Sequence, residues 1–198
     1  MAVPPGEVLR AGEAPTLGLP AVVKPLDSDN SLGVSLVHQH DAYDDALRVA
    51  LEHSDRALVE AFVPLGREVR CGILERDGEL VCLPLEEYAV AGVRGYANKL
   101  APDPRERVRL VAKDTTRAWI VDPADPLTEV VWAAARRSHT ALGCRHYSLF
   151  DFRIDPDGRP WFIEAGLYCS FSDRSVIATM TLRESGSTTS TAPRCKER

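Results

Sequence analysis

No apolar run in this 198-residue chain approaches the roughly 18 residues that a membrane-crossing helix needs, and its start does not read as a secretory leader. A soluble, cytoplasmic protein with no membrane partner is the expectation. The five cysteines, Cys71, Cys82, Cys144, Cys169 and Cys195, are odd in number, widely spaced and without a C-x-x-C pair, so reduced, mostly buried thiols are expected rather than zinc ligands. Lysines and arginines are scattered, and the net charge is −5, with a pI of about 5.6. That argues against a nucleic-acid partner. What remains is a chain with 44% hydrophobic residues, long enough for one large domain or two small ones.

The richest stretch is S-L-F-D-F-R-I-D-P-D-G-R-P-W-F-I-E-A-G-L-Y-C-S-F-S-D-R-S, residues 148–175. Two runs of aromatic and β-branched residues flank Asp157-Gly158, which predicts a hairpin with a two-residue turn. That register sets Asp151 opposite Glu164 on one face. Facing carboxylates repel unless a cation lies between them or one is protonated. A hard divalent metal, magnesium with phosphate as co-ligand, suits the pair, and a solvated hairpin face is the plain alternative.

Taken from the start, residues 1–18 hold three prolines and little periodicity, which predicts a loose lead-in. A short strand over Leu19 to Pro25 ends on Lys24, and the small polar loop after it can turn backbone N–H groups toward an anion. It lacks the Gly-Lys-Ser/Thr ending of a Walker loop. Tyr43, Ala46, Leu47, Ala50 and Leu51 form an amphipathic helical stripe between Asp41 and His53. Strands over Ala57 to Val63, Glu68 to Glu75 and Leu80 to Leu85, with an Asp77-Gly78 turn, predict a β-meander. Glu60, a charge within an apolar strand, must face water or bind something.

Residues 86–108 read as a long loop with the character of a lid. Leu127 to Leu142 reads as a helix with a stripe of Val130, Val131, Ala134, Ala135, Ser138 and Leu142, and Gly143 as its C′ residue. His139, His146 and Cys144 are assigned core or surface roles rather than a metal site, and Trp119, Trp132 and Trp161 are assigned to packing. Beyond Met180 the text turns polar and aperiodic, which predicts a disordered tail over 181–198.

The motifs V-V-K-P, E-A-F-V-P-L-G-R-E, Y-A-N-K-L, L-G-C-R-H-Y, D-F-R-I-D-P-D-G and F-I-E-A-G follow one another in the order of an ATP-grasp enzyme. Residues 18–180 resemble the C-terminal catalytic part of D-alanine–D-alanine ligases. The resemblance implies an α+β ATP-grasp fold over 19–180, with two α/β subdomains (about 19–63 and 64–180) whose antiparallel sheets enclose ATP. It further implies that Lys24 and Lys99 contact the ATP phosphates, Lys99 from a mobile loop, and that Asp29, Asn30 and Ser31 cover them. Glu60, Phe62 and Val63 match the adenine hinge, Glu68 the ribose acid, and Ile163 a further nucleotide contact. One extra residue separates Glu60 from Glu68 relative to the usual spacing. Asp151 and Glu164 match the magnesium ligands and Ser175 a serine that binds the second amino acid's carboxylate. The implied activity is carboxylate–amine ligation with ATP and Mg2+ on small-molecule amino acids; a homodimer is left open.

Two positions depart from the family pattern. Leu149 stands where the family has the arginine of the oxyanion site, and Gly166 where it has a third metal ligand, asparagine. The hairpin register sets these two opposite each other, with Arg153 or Arg174 as a replacement cation. The family's amino-terminal domain has no counterpart upstream of Leu19, so a partial gene product with an altered end is expected. An ATP-binding protein without turnover, or a related ligase for another substrate, are the alternative readings.

Overall fold

The computed structural model describes residues 1–28, 31–93, 100–101, 109–110, 117–166 and 175–186. The first sheet consists of β1 (Gly6–Leu9), β2 (Ala21–Pro25), β3 (Ser35–Val37) and β4 (Ala57–Ala61), in the order β1-β4-β2-β3, with α1 (Tyr43–Leu51) packed on it. The stripe read from the sequence is the face that packs: Tyr43, Ala46, Leu47 and Ala50 are buried with Ala21, Val23, Val37 and Val59. The expected lead-in, by contrast, supplies β1, which pairs antiparallel with β4 and sets Gly6 opposite Glu60. Glu7 ties the following turn back by accepting the Thr16 and Leu17 N–H groups. A four-residue strand among prolines carries little local signal, and the edge of β4 supplies its hydrogen-bond partners.

The chain leaves the first sheet at residues 62–66 and enters a second sheet at β5 (Arg67–Arg76), so the expected meander is split between two sheets. β6 (Glu79–Cys82) returns from β5 through Asp77-Gly78, whose φ values of 54° and 83° are those of a two-residue primed turn. The expected loop over 86–108 begins instead with β7 (Glu86–Tyr88), bonded to β5; β8 (Leu100–Ala101) and β9 (Arg109–Leu110) form a separate pair. β10 (Ala118–Ile120) flanks β7. After α2 (Leu127–Ala141), the strands β11 (Tyr147–Ile154) and β12 (Pro160–Gly166) complete the order β10-β7-β5-β11-β12, with β6 on β5.

Gly143, at φ 62°, follows the C-cap of α2 as expected. The buried face of α2 is rotated from the predicted stripe. Val130 and Leu142 are exposed, while Leu127, Thr128 and His139 join Val131, Ala134, Ala135 and Ser138 inside. His139 is accommodated there because its Nδ1 lies 2.8 Å from the Ser148 hydroxyl on β11. The chain ends its described part in α3 (Val176–Gly186). Residues 181–186 are therefore helical rather than part of a disordered tail; 187–198 lie outside the described residues.

Candidate active site

Alternation along β11 separates two environments. Phe150, Phe152 and Ile154 point into the core that β5 shares with α2, while Leu149, Asp151 and Arg153 take the opposite face. Across β11 from these three stand Gly72, Arg70 and Glu68 of β5. At one end Leu149 is buried with Leu83, Ile177 and Met180, under α3. At the other end the face opens into a cleft lined by both sheets.

The first sheet contributes Val22, Lys24, Glu60 and Ala61 to the cleft and the second contributes Glu68, Asp151, Arg153, Ile163 and Glu164, with Ser31 and Val63 from connecting segments. The structure thus brings together most of the residues singled out in the sequence. Asp29, Asn30, Lys99 and Arg174 lie outside the described residues.

Asp151 does face Glu164, and Leu149 faces Gly166, but the hairpin reaches that register by another path than the one expected. Instead of a two-residue turn, residues 155–159 form the connection, held by Asp155, which accepts the N–H groups of Asp157 and Arg159 and the indole N–H of Trp161. Phe152 therefore pairs with Phe162, one residue out of the expected register, and the ladder shifts between Asp151 and Phe152. Ile163 is the extra residue on β12, a β-bulge that restores the Asp151–Glu164 pairing.

The cation inferred from repulsion between these carboxylates is already supplied in part by the protein. Arg70 grips Asp151 with both arms of its guanidinium, Nε to Oδ1 at 2.5 Å and Nη2 to Oδ2 at 2.8 Å, with the side chains 16% and 13% exposed. Burial is the largest single influence and works against the charge of Arg70, but Asp151, Tyr88 and Glu86 together outweigh it and hold the guanidinium protonated well above its ordinary range. Its only sequence trace was a charge inside an apolar strand, with the partner 81 positions away.

Glu60 is paired too: its carboxylate lies 2.5 Å from Lys24 Nζ. The two sit on one face of the β2–β4 ladder, where Val22 is opposite Glu60. Lys24 thus reaches the cleft accompanied by a counter-charge.

Arg153 is held beside Phe62 and Val63 and does not extend toward Leu149. It donates to Glu68 Oε2 at 2.9 Å, to the Val63 carbonyl at 3.2 Å and to the Gly92 carbonyl at 2.6 Å, and its guanidinium carbon lies 5.4 Å from the centre of the Phe62 ring. Leu149 is four residues, about 13 Å, up the strand. The expected replacement cation is therefore committed elsewhere, because Glu68 stands directly opposite it on β5. The Phe62 N–H donates to the Pro20 carbonyl. Ser175 is buried and caps α3: its hydroxyl accepts the Ala178 N–H at 3.2 Å and its carbonyl the Thr179 N–H at 2.9 Å.

A profile of the family described as "D-ala D-ala ligase C-terminus" matches residues 7–191. The chain belongs to that family. It is 36% identical over 169 residues to D-alanine–D-alanine ligase A of Mesorhizobium japonicum, a match spanning 83% of this chain and 44% of that protein. D-alanine–D-alanine ligase from Bacillus anthracis superposes with a TM-score of 0.70 at 22% identity, covering 92% of this chain and 57% of that one. The same enzyme complexed with ATP gives a TM-score of 0.68 at 20% identity, covering 92% and 55%. The fold is that of these ligases, an α+β ATP-grasp architecture, and the chain spans less than half the length of the Mesorhizobium relative.

For a member of this ligase family the metal expected between Asp151 and Glu164 is magnesium. The donor set fits it. Both groups are hard carboxylates paired across adjacent strands, and Glu164 is exposed. Among the described residues no cluster of three or more His, Cys, Asp or Glu side chains is placed to hold a metal. Phosphate and water oxygens would have to complete its shell, as magnesium commonly requires.

Proposed function

We propose that this chain is the ATP-binding portion of a D-alanine–D-alanine ligase-like enzyme, an ATP-dependent carboxylate–amine ligase working in the cytoplasm on amino acids. The observation that carries it is the placement of Lys24 and the Asp151–Glu164 pair in one cleft between the two sheets, in a chain whose family is that of these ligases.

In this reading Lys24 meets phosphate oxygens, shared between them and Glu60. Val63 and Phe62 line the adenine end, and Arg153 orients Glu68 toward the ribose by holding its Oε2. Ile163 sits beneath the nucleotide. Asp151 and Glu164 hold magnesium, which when bound neutralises charge on the transferring phosphoryl group. The substrate carboxylate takes the γ-phosphoryl group and an amine then displaces phosphate. Asp29, Asn30 and Lys99 cover the phosphates, and Ser175 presents its hydroxyl from the first turn of α3 to a substrate carboxylate. A homodimer belongs to the same proposal and is read out by sedimentation.

The test is a thermal shift with ATP, with and without Mg2+. Magnesium-dependent stabilisation supports the reading, and its absence at millimolar ATP would overturn it. A second reading, nucleotide binding without turnover, is favoured by Leu149, an apolar residue buried under α3 where a cationic donor is needed for a developing oxyanion. Phosphate release with mixed amino acids distinguishes the two; turnover that discriminates against alanine would instead indicate a related ligase with another substrate.

A further inference from the structure

Four adjacent strands carry charged residues in one cross-strand row: Glu86 on β7, Arg70 on β5, Asp151 on β11 and Glu164 on β12. Such a row brings neighbouring side chains within about 5 Å of one another at the Cβ level. Arg70 is fixed within the row from three sides. Asp151 takes both arms of its fork, Glu86 stands opposite it on β7, and the Tyr88 ring lies 5.4 Å from its guanidinium carbon. Glu86 is 3% exposed and accepts the Tyr88 hydroxyl, so this side of the row is rigidly packed.

We infer that Arg70 is a built-in counter-cation of the Asp151–Glu164 pair, which competes with a divalent metal for Asp151 and so sets the affinity of the site for that metal. The inference rests on the reading of Asp151 and Glu164 as metal ligands. A metal approaching Asp151 meets a positive charge already engaged at both oxygens, and at an effective dielectric near 20 charges a few ångströms apart still interact by kilocalories. Arg70 cannot lose its proton to make room. The site therefore binds free metal weakly and gains it together with phosphate, whose own oxygens do not share Arg70's hold on Asp151.

The experiment is a titration of the full chain with Mn2+ alone, followed by the electron paramagnetic resonance signal of the free ion, for the wild type, Arg70→Gln and Arg70→Met. Arg70→Gln keeps a donor for Asp151 and removes the charge; Arg70→Met removes both. Both are expected to tighten Mn2+ binding by about tenfold or more, with the gain abolished when Asp151→Asn is added. Lys24→Met, which removes a cleft charge not seated on Asp151, is expected to change the affinity less than either. Equal Mn2+ affinity in wild type and in a folded Arg70 variant overturns this inference alone. No Mn2+ binding by any form overturns it together with the metal-ligand reading. Because no nucleotide is present, a failure to bind ATP leaves this result unaffected.

Discussion

Asp151 stands opposite Glu164 because one residue of β12, Ile163, is left out of the ladder between them and the hairpin loop. Without that bulge the register of the distal part, Phe152 with Phe162, would continue and set Asp151 opposite Ile163. Glu164 would then turn to the other face of the sheet, since neighbouring residues on a strand alternate.

The two carboxylates nonetheless differ in what depends on them. Asp151 is 13% exposed and neutralises Arg70, so Asp151→Asn leaves a largely buried guanidinium without its ion pair and is expected to cost about 1–3 kcal/mol of stability. Glu164 is exposed, and Glu164→Gln is expected to stay within about 0.5 kcal/mol. Both should weaken magnesium-dependent ATP binding. Urea unfolding and isothermal titration measure the two effects separately; equal stability losses would contradict the pairing with Arg70.

How much of this was open to reading the sequence depends on where each residue finds its partner. The Asp77-Gly78 turn is local, requiring only that both residues accept positive φ, and it was legible. So was the stripe of α1, whose periodicity lies within nine residues. Facing of Asp151 and Glu164 was inferred through a turn that does not form, and a bulge restored the register. Arg70 was not legible, because a charge in a strand reads as solvent-facing until its distant partner is known. For His139 the sequence left core and surface open, and its place inside was not legible for the same reason: its Nδ1 lies 2.8 Å from the Ser148 hydroxyl on another element.

The link between the sheets has its own tight point at Gly66. Its N–H donates to the Ile154 carbonyl at 2.9 Å, and a Cβ there would lie 2.8 Å from the Asp155 carbonyl oxygen and 2.9 Å from that of Ile154. Both are backbone atoms and cannot swing aside. Gly66→Ala is expected to destabilise by about 1–3 kcal/mol, whereas Gly78→Ala, with nothing within 4 Å, meets only the cost of its positive φ. Chemical denaturation of the two variants decides the order.

Acid stability should carry the mark of Asp125, at the start of α2. It accepts the Leu127 N–H and the Arg67 guanidinium, in that order of weight, and both hold its carboxyl below the usual carboxylate range. A depressed folded-state pKa contributes stability that is fully present above the unfolded value of about 4 and is lost as the pH falls through the folded value. Asp125→Asn should therefore destabilise at pH 6, and the difference from wild type should shrink below about pH 4. Unfolding free energies at stepped pH test this; a gap that does not narrow as the pH falls contradicts it.

Leu149 and Gly166, the paired departures from the family pattern, respond oppositely to restoration. Leu149 is 6% exposed among Leu83, Ile177 and Met180, so Leu149→Arg forces a guanidinium into an apolar cluster or pushes α3 off it. The expected cost is about 2–4 kcal/mol, against less than about 1.5 kcal/mol for Leu149→Met. A Cβ on Gly166 would lie 3.7 Å from the Leu149 carbonyl oxygen and 4.0 Å from its Cβ, ordinary contact distances, so Gly166→Asn should be accepted within about 0.5 kcal/mol. Magnesium-dependent ATP binding should survive Gly166→Asn and strengthen if the new amide reaches the metal's shell. If Leu149→Arg proves as stable as wild type, the cluster under α3 does not hold Leu149 as described, and an arginine at that position has room to turn toward the cleft.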